Sequence, residues 1–270
     1  MSKGVNLVAV SFDGDEKFLR AQKAMTNFGN ENDFHGLKIY GDLNSTIAMM
    51  QDSLHLLNKE KMRICDNAVD IKFSKGIASV NLLQIMVKDN TLAKDTHGLK
   101  KSDVQNADKT RDKMNCDATA RICSEKAIAE VSKIPGSEPT AQFLLLMKKT
   151  KECFVDEGIS LEQRLENLAY VVTFTRKWRQ QIADDGQKVE AFISSNAWNC
   201  LELNATVFIR LLVGGYGDLI TICSSQPSEE YFRELRAMST YGVTCVGLYF
   251  KIYKGGNLFA KLKGLKIKNP

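Results

Sequence analysis

Proline and long apolar runs are both scarce in this sequence. Four prolines occur in 270 residues, so helices can run uninterrupted, because a proline inside a helix removes a hydrogen bond and clashes with the preceding turn. The apolar segments Phe143 to Met147 and Val207 to Val213 fall far short of the ~20 residues that a membrane span requires. No membrane association is expected. The opening Met1 to Val10 carries one lysine and a short apolar run, and Asp13 and Asp15 follow before any cleavage-site pattern. No signal peptide is expected there.

Metal-ligand and nucleophile patterns are equally sparse. His35, His55 and His97 are the three histidines, and none stands at zinc-ligand spacing from a cysteine or from another histidine. The seven cysteines are Cys65, Cys116, Cys123, Cys153, Cys200, Cys223 and Cys245. Their odd number, wide spacing and lack of any Cys-x-x-Cys pair argue against a disulfide framework and a zinc finger, and for a reducing compartment. Most are expected to be small core residues. There is no Gly-x-Ser-x-Gly elbow and no Gly-x-x-x-x-Gly-Lys-Ser phosphate loop.

What is present is an ordinary globular composition, 44% hydrophobic and 26% charged. The net charge of +5 is too small to identify a nucleic-acid partner. Its distribution is more informative. From Lys251 onward there are six lysines (Lys251, Lys254, Lys261, Lys263, Lys266, Lys268) and no acid. Two readings of this tail stand side by side: a solvated, frayed end and an arm that contacts phosphates.

Val5 to Phe12 reads as a strand buried on both faces. It ends at Asp13-Gly14-Asp15, and a helical spacing follows through Phe18, Leu19 and Met25. Residues 30–46 read as loop with a short strand at Leu37 to Tyr40, and residues 45–64 as helix. Residues 70–115 are polar and irregular apart from an apolar helix near Val80 to Val87. Then helices dominate. One is expected from Asp117 to Ser132, and a second from Glu138 to Val155, capped by Ser137 and closed by Gly158. A third opens at Ser160 with Gln163 three residues on, the spacing of a capping box. Leu161, Leu165, Leu168, Val172, Thr175 and Trp178 give that helix one apolar stripe. Asp184-Asp185-Gly186 breaks it. Trp198, Leu201, Ala205, Phe208 and Leu212 mark the next helix. Leu219 to Cys223 reads as a short strand and Glu229 to Met238 as a helix. The tryptophans and leucine stripes read as core.

Two carboxylates invite a role and each also has a plain explanation. Asp13 stands where a turn aspartate would cap the helix starting near Glu16. Glu229 stands in a first helical turn, where the helix dipole favours an acid. Asp15 competes with the first, and Glu230 and Glu202 with the second.

Three separated segments together resemble the P-element-type transposases and their THAP-associated relatives. The first is Val8-Ala-Val-Ser-Phe-Asp13-Gly14. The second is Gln51-Asp52-Ser-Leu-His55-Leu-Leu-Asn-Lys59, similar to an Asp-x-x-His-x-x-x-Lys block of that family. The third is Ser224-Ser-Gln-Pro-Ser-Glu229-Glu-Tyr-Phe232-Arg-Glu-Leu-Arg236, preceded by Ser195-Asn196 through Glu202-Leu-Asn204. The stretch around Lys94 to His97 is also similar to a block seen in relatives. The resemblance spans roughly residues 5 to 245.

The resemblance implies an α+β, helix-dominated fold: an incomplete RNase H-like layer with a large all-helical insertion. Residues 1–65 would supply the RNase H-like fragment and 66–215 the mainly helical insertion. Residues 216–250 would return to the layer, and 251–270 form the basic tail. It implies catalytic, metal-binding roles for Asp13 and Glu229, with Phe232 anchoring the helix that carries Glu229. It also implies Mg²⁺ and a guanine nucleotide as cofactors, DNA as partner, contacts with itself or a full-length transposase, and the nucleus as location. Strand cleavage and transfer in such enzymes use three carboxylates and two metal ions. The family's first carboxylate precedes the Asp-Gly strand, and few residues stand before that strand here. The chain is therefore expected to be truncated at its amino terminus and inactive alone. The alternatives are a non-catalytic fragment that binds DNA or a transposase, with Lys251, Lys254, Lys261 and Lys263 as the phosphate contacts, or an unrelated helical scaffold.

Overall fold

The computed structural model describes residues 9–12, 16–41, 48–66, 70–89, 94–104 and 115–222. They fall within one compact unit, residues 1–224. Strand β1 (Ala9–Phe12) leads into helix α1 (Glu16–Met25). The hairpin β2 (Glu31–Phe34) and β3 (Leu37–Tyr40) follows, then β4 (Ala48–Gln51) and α2 (Ser53–Cys65). A second hairpin, β5 (Ile71–Phe73) and β6 (Gly76–Ala78), precedes α3 (Val80–Lys88) and α4 (Lys94–His97). The rest is helical: α5 (Cys116–Ile122), α6 (Glu125–Val131), α7 (Glu138–Phe154), α8 (Leu161–Asp184) and α9 (Ser195–Val213). Single 3₁₀ turns sit at Lys101–Asp103, Val189–Ala191 and Gly217–Thr221.

The helix-dominated α+β expectation holds for these residues. Helix α9 is the central element. Twelve of its residues are buried, among them Leu201, Ala205, Phe208 and Ile209, and a helix apolar nearly all round belongs in the middle of a core. It packs on β4, β3, α1, α2 and α8. Helix α8 buries the stripe Leu168, Val171, Val172, Thr175, Trp178 and Ile182 against α7. Trp178 stacks on Phe73 with ring centroids 4.4 Å apart and donates its indole N–H to the Lys72 carbonyl at 2.7 Å. That pair of contacts fastens the β5–β6 hairpin to the helices.

Several local expectations change. Residues 31–40, read mostly as loop, form a full hairpin. His35 and Gly36 both adopt positive φ, +51° and +84°, as a two-residue type I′ turn requires. Asp33 accepts a hydrogen bond from Gly36 N–H across that turn at 2.9 Å. The first part of the expected helix 45–64 is strand β4, held by parallel pairing with β1. The expected single helix from Asp117 to Ser132 is broken at Cys123–Ser124, where Ser124 caps a new helix by accepting from Ala127 N–H at 3.2 Å. Ser137 is the N-cap of α7 without a side-chain cap bond, and α7 ends at Phe154 with Val155 as its C-cap, within one residue of the expected end. Arg164 explains that end. Buried on α8, it donates to the carbonyls of Glu152, Cys153 and Asp156. Ser160 caps α8 as expected, accepting from Gln163 N–H, while the Gln163 amide turns to Glu166 and Asn167. The strand expected at Leu219 is a 3₁₀ turn. No helix among the described residues is long and apolar enough to cross a membrane.

Candidate functional site

Strands β1 and β4 run parallel, with Phe12 opposite Gln51. Their carboxyl ends therefore finish together. In parallel sheets that edge is where loops and helix starts gather and where ligands bind. Phe12 is the residue before Asp13, and Asp52 follows Gln51 as the N-cap of α2. The Asp52 N–H donates to the Phe12 carbonyl at 2.6 Å and so ties the two strand ends together.

Asp52 is fully buried. Its Oδ1 accepts from the amides of Leu54 at 2.8 Å and His55 at 3.4 Å. Its Oδ2 lies 3.3 Å from His55 Nδ1, and the His55 side chain is 19% exposed. That contact is within ion-pair range, but its geometry is not that of a hydrogen bond. The Asp-x-x-His spacing thus has a direct physical meaning. The aspartate starts the helix, and one turn later the histidine sits against the same carboxylate. A buried carboxylate already committed to two amides is a cap rather than an open metal ligand.

A polar seam joins this end to α9. Lys59 donates to Asn196 at 2.6 Å and lies 3.8 Å from Cys200 Sγ. Cys200 Sγ lies 3.9 Å from the Gln51 side-chain oxygen, and the Gln51 amide group donates to Gln22 of α1. Asn204 pairs with the main chain of Gln51 twice: its Oδ1 accepts from Gln51 N–H at 2.8 Å, and its Nδ2 donates to Gln51 C=O at 2.9 Å. Asn196, Cys200 and Asn204 recur every four residues and so form one stripe of α9. Asn196 and Asn204 belong to the block that precedes the third segment of the resemblance, which implies no role for either; a polar stripe on an otherwise apolar helix is the sequence signal that marks them.

Asp13, Glu229, Lys251, Lys254, Lys261 and Lys263 lie outside the described residues. The competitor Glu202 is resolved by its surroundings. It is buried, and both its oxygens are taken by Arg176, at 2.8 Å and 2.5 Å. Arg176 also donates to the Lys38 carbonyl at 2.5 Å and lies over the Tyr40 ring at 4.8 Å. Glu202 therefore ties the β2–β3 hairpin to the core. His97 is buried and accepts from Leu99 N–H at 3.0 Å, which closes the turn after α4. Among the described residues, no group of three or more His, Cys, Asp or Glu side chains is placed to hold a metal ion. The described part of the chain does not by itself form the metal site that the resemblance implies. Burial pushes the thiols of Cys65 and Cys123 up, to about 11 and about 12, so both are protonated core residues. A cavity of about 20 Å³ between α2, α5 and α7 has room for one water rather than a nucleotide.

No family model matches the sequence, and no curated protein does. A solved structure does match: the Drosophila P element transposase strand transfer complex, with a TM-score of 0.65 at 14% identity. The match covers 93% of this chain and 60% of the transposase chain, so this chain spans less than two thirds of that protein. At such identity the likeness speaks for the fold. The described residues of this chain thus share the fold of part of the P element transposase.

Proposed function

We propose that this chain is a transposase-like protein that engages DNA and takes part in strand cleavage and transfer in the nucleus. The observation that carries this reading is the fold match over 93% of the chain. The parallel strand ends at Phe12 and Gln51, tied by the Asp52 amide, support it further. In this reading β1 and β4 belong to an RNase H-like layer. Asp13 and Glu229 are its metal-binding carboxylates and Mg²⁺ the ion, since hard oxygen donors suit that ion. Bound there, Mg²⁺ would activate the attacking hydroxyl and stabilise the leaving oxygen. A guanine nucleotide is the second cofactor of the proposal, and a second transposase copy its protein partner.

What the chain's own residues contribute is placement. Asp52 starts α2 and holds His55 at the strand ends, and the seam to α9 keeps that edge from shifting. The lysines from Lys251 to Lys263 supply phosphate contacts. Binding of a short DNA duplex, followed by fluorescence anisotropy from 50 to 200 mM salt with and without GTP, tests the reading. DNA affinity is expected to fall steeply with salt. Replacing Lys251, Lys254, Lys261 and Lys263 together by glutamine is expected to reduce that salt slope, because each lost phosphate contact lowers it by about one. Absence of binding at 50 mM salt would return the chain to the scaffold reading. Binding without any strand cleavage would make it a non-catalytic DNA-binding fragment.

A further inference from the structure

In a β-strand, successive residues turn their main-chain N–H and C=O to opposite edges. Asp52 turns its N–H toward β1, reaching the Phe12 carbonyl. Gln51, one residue earlier, turns both groups the other way. There the partner is the side chain of Asn204, which meets N–H and C=O at once. A carboxamide offers one acceptor and two donors on a planar frame, the same groups a neighbouring strand would present. Both Gln51 and Asn204 are fully buried, so water cannot replace either bond. Asn204 Nδ2 also lies 3.5 Å from Ser53 Oγ, the first residue of α2.

We propose that Asn204 is a positioning residue, a surrogate strand of one side chain that fixes the carboxyl end of β4. Through the Asp52 N–H bond to Phe12, it also fixes the end of β1 that precedes Asp13. Its role at that site rests on the strand-transfer reading above; the clamp itself does not. The neighbours reinforce the assignment. Gln51 is held from its other end by Gln22, so α1, β4 and α9 meet at this one residue. Cys200, one turn before Asn204 on the same stripe, adds an apolar-compatible contact rather than a competing strong donor.

The test measures hydrogen exchange of individual amides by NMR in the full chain. In Asn204→Leu, exchange at Gln51 is expected to rise roughly 10- to 100-fold, the consequence of leaving a buried N–H and C=O unpaired. Amides in the α7–α8 pair are expected to be unchanged. Asn204→Asp keeps the acceptor and loses the donor, so Gln51 N–H protection is expected to survive there. If Asn204→Leu does not fold, Asn204→Ser, too short to span the gap, carries the same comparison with Asn204→Asp. Unchanged exchange at Gln51 in the Leu or Ser variant, or equal loss in the Asp variant, overturns the proposal. So does a rise spread evenly over α7 and α8, which would mark Asn204 as a general packing residue. Mg²⁺-dependent nicking of supercoiled DNA, with a full-length transposase present to supply the first carboxylate, reads the positioning role separately. In Asn204→Leu, the Mg²⁺ concentration giving half-maximal rate is expected to rise at least roughly tenfold, since ligand geometry sets metal affinity, while KM for DNA stays unchanged. A clamp intact by exchange in a wild-type chain that never nicks DNA would sink the strand-transfer reading and leave the clamp standing. Nicking with an unaltered Mg²⁺ requirement in the variant would sink the positioning role.

Discussion

Replacing Glu60 by methionine is predicted to stabilise the protein at neutral pH and to flatten its stability against pH. Glu60 sits on α2, which packs against α5, α7 and α9. It is fully buried, and neither carboxylate oxygen has a hydrogen-bond partner among the described residues. Lys151, the cation that acts on the neighbouring Cys123, is tied to Asp156 at 2.5 Å. Burial pushes the Glu60 carboxyl from an ordinary 4.5 to about 8. Between those values the folded chain keeps its proton and the unfolded chain has released it. The unfolded state binds fewer protons, so stability falls as pH rises, by about 1.4 kcal/mol for each pH step of one. The penalty is absent below pH 4.5, reaches about 3 kcal/mol at pH 7, and is complete above about pH 8. Methionine has similar length and no charge to desolvate. Urea unfolding at pH 5, 6, 7 and 8 should show Glu60→Met gaining on the wild type at each step, with an advantage of about 3 kcal/mol at pH 7. A difference between the two proteins that stays constant over this range would refute the reasoning.

Three further outcomes follow from buried polar contacts. Arg164→Met should lower stability by roughly 2–4 kcal/mol, because three carbonyls at the end of α7 lose a charged donor; thermal unfolding reads it. Glu202→Gln should cost roughly 3–5 kcal/mol by leaving Arg176 poorly compensated, whereas the double change Arg176→Met, Glu202→Leu should cost much less. A double change as costly as the single one would contradict that account. Trp178→Phe should lose the bond to the Lys72 carbonyl, about 1 kcal/mol, and open the β5–β6 hairpin to faster hydrogen exchange before the helices respond.

The long helices were legible because their apolar stripes repeat over several turns, as at Leu168, Val172, Thr175 and Trp178 in α8. The short strands were not. Glu31 to Phe34 shows polar residues at three of four positions and alternates between exposed and half-buried, so no apolar period announces it. Its only local signal was the His35-Gly36 turn. Strand β4 was hidden for another reason: Ala48, Met49 and Met50 are good helix formers, and only pairing with β1 and the Asn204 clamp hold them extended. The hairpin at 71–78 has three-residue strands inside a polar stretch, and its stability comes from Trp178, a hundred residues away in sequence. At the site, the block from Gln51 to Lys59 was readable as a segment, but the division of labour within it was not. That Asp52 caps while His55 and Lys59 face it and α9 depends on contacts with Phe12 and Asn196. Glu202 looked like a rival to Glu229 until its bridge to Arg176 gave it a structural task.

The most direct measurement is nicking of supercoiled DNA by the full chain mixed with a full-length transposase that carries the first carboxylate, in Mg²⁺ or Mn²⁺ and with Asp13→Ala as comparison. The account predicts nicked product above that of the transposase alone, which requires the metal and falls at least roughly a hundredfold in Asp13→Ala, as expected when a ligand to catalytic metal ions is lost. Nicking that persists in EDTA, or that Asp13→Ala leaves unchanged, would contradict it.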